Sequence, residues 1–90
     1  MMFTIEEARD ILRIDGGDND GMIYALLSAI PPYLEATTGY VADGGYSPMA
    51  KAAGRFLLQL WYYGENADTD KLQRVIDSLL KALSAERAHQ

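Results

Sequence analysis

The chain has 90 residues, nearly half of them hydrophobic, and a formal net charge of −5. That length makes one domain with a modest core, burying a little over roughly 60% of its unfolded surface. The acidic balance argues against gripping nucleic acid by its phosphates or lying on an anionic membrane, and the lack of cysteine excludes disulfides, thiol chemistry and cysteine-based zinc sites.

Apolar residues recur at helical spacing throughout, which predicts an all-α chain, a small bundle of about four helices in one domain over residues 1–90. The first helix starts after Thr4. Thr4 and Glu7 stand at the spacing of a capping box, in which hydroxyl and carboxylate each satisfy a free backbone N–H. Ile5, Ala8, Ile11 and Leu12 give it an apolar face as far as about Arg13, and Gly16-Gly17 break it.

The second helix starts near Asp18-Asn19-Asp20, runs through Ile23, Leu26, Leu27 and Ile30, and stops at Gly39. Pro31-Pro32 sits in its middle. Each proline removes a backbone donor and clashes with the preceding turn, at about 3 kcal/mol in a helix interior. This predicts a helix kinked or broken at Pro31-Pro32, with a short second piece over 32–38. Residues 41–46 read as a loop.

Ser47 caps the third helix and Pro48 takes its first position, where a missing N–H costs nothing. On a wheel of about 100° per residue, Met49, Ala52, Ala53, Phe56, Leu57, Leu60 and Tyr63 gather on one face, the predicted core face. Leu58, Trp61 and Tyr62 fall off it, around a polar stripe of Lys51, Arg55 and Gln59. A helix apolar on two sides predicts a contact with another chain. The predicted subunit interface comprises Leu58, Trp61, Tyr62 and Arg55, with Ala50 and Gly54 small enough to let a neighbouring helix approach.

The last helix starts near Asp68 to Asp70, where Asp70 and Gln73 repeat the capping-box spacing. Leu72, Val75, Ile76, Leu79, Leu80 and Leu83 form its stripe. Residues 84–90 have no apolar face and are predicted to fray as a mobile tail.

Chemistry finds little to work with. Asp15, Asp18 and Asp20 fail the calcium-loop pattern from either start, because Met22 and Ile23, or Gly17 and Leu26, occupy ligand and glycine positions. Those acids suit a turn and a helix N-terminus instead. His89 is the one histidine and lies in the tail. Asp15-Gly16-Gly17-Asp18 lacks the lysine of a phosphate loop. No metal, no cofactor and no catalytic residue are expected. The N-terminus carries acids where a signal peptide needs bases, and no run approaches the ~20 apolar residues of a membrane span. The chain is expected to stay in the cytoplasm until it joins something.

Two groups of residues, taken together, carry a family resemblance. The first half holds Thr4-Ile5-Glu6-Glu7-Ala8, Leu12-Arg13-Ile14-Asp15, Asp18, Asp20, Ile23, Leu26-Leu27, Ala29, Tyr33 and Thr38-Gly39. The second holds Pro48, Ala52, Leu57-Leu58, Trp61-Tyr62-Tyr63 and Asn66. In this order and spacing the chain resembles the small head–tail connector, or adaptor, proteins of tailed bacteriophages and prophages, also described as DNA-packaging proteins. The resemblance implies a virion structural protein of about four helices. It also implies a homo-oligomeric ring of about twelve or thirteen copies, docked under the portal protein, extending the DNA channel and recruiting neck or tail-completion proteins. DNA would pass without specific binding. Glu6, Glu7, Asp10 and Asp43 are then candidates to face the channel, where their charge would repel phosphates and keep the duplex mobile. The residues after Leu83 are candidates to grip the portal. Two departures stand out: Pro31-Pro32 interrupts a helix the family keeps continuous, and Gly64-Glu65-Asn66 stands where an Asn-Arg-Glu type stretch often follows the aromatics. The rival reading is a small acidic helical binding or regulatory module, dimeric, acting through protein–protein contacts.

Overall fold

A computed structural model describes residues 2–42, 44–64 and 69–88. They form four helices and no strand: α1 (Ile5–Leu12), α2 (Asp20–Thr38), α3 (Pro48–Tyr63) and α4 (Thr69–Ala88). The molecule measures 41 × 30 × 18 Å. Helix axes pack about 8–10 Å apart, so its thin direction holds about two helix layers. α3 touches each of the other helices and pairs most extensively with α4.

Local chemistry sets most of the boundaries. Both capping-box bonds form at α1: the Thr4 hydroxyl accepts from Glu7 N–H at 3.1 Å, and Glu7 Oε1 accepts from Thr4 N–H at 2.9 Å. The helix stops before the glycines. Arg13 adopts a left-handed conformation (φ 58°, ψ 47°). Its N–H bonds to Asp10 O at 3.2 Å and Ile14 N–H bonds to Arg9 O at 3.0 Å, the two bonds of a Schellman closure. Ser47 Oγ accepts from Ala50 N–H at 3.1 Å at the start of α3.

α2 runs unbroken across Pro31-Pro32, so the full break does not occur. The two prolines cannot donate, and two rungs of the ladder are missing. Ile30 and Leu34, 0% and 1% exposed, bracket them. Burying two such side chains gains about 1.5–3 kcal/mol each, the same size as the prolines' penalty. Tertiary packing keeps the second half helical, and Gly39 (φ 79°) ends it by donating to Glu35 O at 2.8 Å.

At the other end of the chain, α4 begins at Thr69, and Gln73 Nε2 donates to Asp77 Oδ1 at 2.9 Å instead of closing a box on Asp70. The helix continues past Leu83 to Ala88, and the rest of the predicted tail, His89 and Gln90, lies outside the described residues.

The core gathers Met2, Ala8 and Leu12 with Ile23, Leu27, Ile30 and Leu34 from α2. Ala50, Ala53, Leu57 and Leu58 join from α3, and Ile76 and Leu83 from α4. No helix among the described residues is long and apolar enough to cross a membrane.

Candidate functional site

α3 is turned about its axis relative to the wheel. Its buried residues, Ala50, Ala53, Gly54, Leu57 and Leu58, centre about 100° from the predicted core face at 100° per residue. Leu58 and Ala50 are wholly enclosed by the same chain. Gly54 is buried against Met2, and a Cβ there would lie 3.4 Å from Ile30 Cγ2. The close approach that Gly54 permits is therefore made by this chain's own N-terminus and α2. Leu58, Ala50 and Gly54 cannot be a subunit interface: they are core, because two other elements of the monomer arrive on that side first.

The aromatics divide. Trp61 is half-buried and meets Tyr33 of α2 edge to face, ring centroids 5.2 Å apart. Tyr62 is half-buried, and its hydroxyl accepts from Asn19 Nδ2 at 2.7 Å. Tyr63, assigned to the core from its wheel position, is 38% exposed and keeps one tie inward, its hydroxyl donating to Leu12 O.

Of the predicted core face, Ala53 and Leu57 are buried in the core, whereas Ala52 and Phe56 line a groove. α1 covers it only partly, leaving a cavity of about 610 Å³ between α1 and α3. Half-buried Phe3, Ile11, Ala52 and Phe56 make its floor. Exposed Glu7 and Asp10 stand along the α1 side, and exposed Lys51 and Arg55 along the α3 side. The Glu7 carboxyl is held below the usual carboxylate value, first by the Thr4 backbone hydrogen bond and then by its hydroxyl, with a smaller pull from Lys51. Arg55 is thus exposed on the groove rim. Glu6 is exposed outside the groove, and Asp43 lies outside the described residues.

A second exposed apolar surface, with no counterpart among the predicted sites, is on α2. Its outward residues include Gly21, Met22, Tyr24, Ala25, Ser28, Ala29, Pro32 and Ala36, and Glu35 is their sole charge. Met22 and Tyr24 are 54% and 56% exposed. Asp20 opens the helix in an ion pair with Arg9 of α1: Arg9 Nε donates to Oδ1 at 3.0 Å, and the guanidinium depresses the carboxyl's pKa by hydrogen bonding. The signal was present in the sequence. No Lys or Arg lies between Arg13 and Lys51, and the five acids of that span equal the whole net charge of −5, the remainder of the chain being balanced. Between Asp20 and Glu35 there is no charge at all. Solvent-facing helices ordinarily place charges there.

Among the described residues no three potential metal-ligating side chains gather. The monomer exposes 5629 Å², against about 5,200 Å² expected of a compact protein of its mass. No protein-family model, curated protein or solved structure matches this chain.

Proposed function

We propose that this chain is a non-enzymatic structural subunit that assembles with copies of itself, in the manner of the phage and prophage head–tail connectors it resembles. The observation that carries the reading is the outward face of α2, which runs fifteen residues from Asp20 to its next charge at Glu35. That face displays Met22 and Tyr24 to solvent. Leaving such a face wet forgoes the burial of apolar area, about 25 cal/mol per Å². A covering partner recovers it.

In this reading lateral contacts make a ring of about a dozen copies under the portal protein. One end of the ring meets the portal and the other recruits a neck or tail-completion protein. DNA passes through without specific contacts, and the acidic balance of the chain suits a wall that must not hold phosphates. The working place of the protein is the virion neck, after synthesis in the host cytoplasm.

Electron microscopy of the purified chain, alone and mixed with a portal protein encoded beside its gene, tests this. Rings stacked coaxially on the portal are expected. A fixed dimer at every concentration, with portal or without, overturns the reading in favour of the dimeric regulatory module.

A further inference from the structure

The α1–α3 groove and the α2 face share no residue. One is concave with an apolar floor; the other is an exposed ridge of small residues, Ala25, Ala29, Pro32 and Ala36, whose far end at Pro32 and Glu35 borders a smaller hollow of about 330 Å³ beside Tyr46. We propose that the α2 ridge of one copy seats in the α1–α3 groove of the next, joining copies head to tail. This rests on the self-assembly reading above and names the surfaces it uses.

Shape supports the pairing first. Small side chains along the ridge let two helix axes approach to the short end of the usual 8–10 Å range. At 1.5 Å per residue the α3 rim from Lys51 to Gln59 extends about 12 Å, and the ridge from Ala25 to Ala36 about 16 Å, so ridge and groove are of similar length.

Charge fixes the direction. Glu35 is the one charge on the ridge, and the α3 rim offers Lys51 and Arg55, neither in an ion pair among the described residues. Seated one way, Glu35 lies against those cations. Reversed, it meets Glu7 and Asp10 on the α1 rim, a juxtaposition of like charges that rejects the wrong orientation. Because the two surfaces differ, the contact is heterologous: each copy has one ridge and one groove, and the chain of contacts closes into a ring when the rotation per copy fits a whole number.

The test uses the full-length chain in sedimentation-velocity experiments, with circular dichroism melts as folding controls. Ala29→Arg blocks the ridge and Ala52→Glu blocks the groove. Each alone is expected to weaken self-association by at least ~10-fold. Mixed in equal amounts they are expected to form a one-to-one heterodimer and nothing larger, since each keeps one intact surface. Glu35→Arg or Arg55→Glu alone is expected to weaken association, and the two changes in one chain to restore it, an outcome that a folding defect cannot mimic.

Wild-type association that survives Ala52→Glu but not Ala29→Arg overturns the groove pairing and leaves the assembly reading standing; the ridge then meets itself or another protein. Failure of the mixed variants to pair, or of the charge exchange to restore association, overturns it equally. A wild-type chain monomeric up to ~1 mM, where even a 4 kcal/mol contact would show, overturns the ridge-in-groove contact, whereas the assembly reading falls only if no ring forms with the portal either.

Discussion

α2 and α3 look alike in one respect: each carries apolar residues on more than the one side that a lone bundle helix needs. Their fates differ. On α3 one apolar arc, Ala50 to Leu58, is sealed inside the molecule, and the second, Ala52 and Phe56, becomes the floor of a groove under α1. On α2 the core arc is Ile23, Leu27, Ile30 and Leu34, and the opposite side stays open. A second apolar arc thus has two meanings, an extra intramolecular neighbour or an intermolecular one. Composition does not separate them; the approach of Met2, Phe3 and α1 to α3 does.

The contrast breaks most readily at Leu58. Truncation to Ala should cost the isolated chain about 2–5 kcal/mol, seen as a lowered thermal midpoint, because the side chain is fully enclosed. An unchanged midpoint would return Leu58 to the surface and undo the distinction between the helices. Trp61→Ala should cost less, about 1–3 kcal/mol, since the indole is half-buried and loses one edge-to-face partner worth about 0.5–1.5 kcal/mol. Thr4→Ala removes the hydroxyl half of the α1 cap and should lower stability by about 1 kcal/mol in chemical denaturation.

Acid should act more gently. Asp20 is held below its ordinary value of 3.8 by Arg9. A carboxyl depressed in the folded state binds fewer protons there than when unfolded. Its stabilisation is therefore complete above the ordinary value and drains away as pH falls through the lower folded one. Asp20→Asn should flatten that part of a stability-against-pH curve, and an identical curve for both proteins would show that the pair contributes nothing. The smallest change in monomer stability belongs to Ala29→Arg. On an open face it should shift the midpoint of unfolding by less than about 0.5 kcal/mol equivalent. A loss of several kcal/mol would mean that α2's outward side is covered after all.

How much of this was legible depended on range. Signals acting over four residues were read well: Thr4 with Glu7, Ser47 with Pro48, and Gly39 at the end of α2 all perform the capping roles their chemistry suggests. Signals that depend on a distant partner were not. The core arc of α3 is chosen by Met2 and Ile30 packing at Gly54, and no wheel contains them. The persistence of α2 through two prolines is likewise decided by Ile30 and Leu34 reaching the core. Arg13 stopped α1 three residues before the glycines, in a conformation a non-glycine residue seldom adopts, because the closure lets Ile14 turn toward the core. Of the predicted interface, Trp61, Tyr62 and Arg55 remain accessible, whereas Leu58, Ala50 and Gly54 do not.

The stretch without lysine or arginine from Ile14 to Ala50 has a practical consequence at the bench. Trypsin, even on the fully denatured polypeptide, releases α2 with both its flanks as one fragment ending at Lys51. Amine-directed cross-linkers find nothing to label anywhere on that helix. Footprinting of its outward side must therefore go through the Glu35 carboxylate, with a carbodiimide, or through oxidation of Met22 and Tyr24.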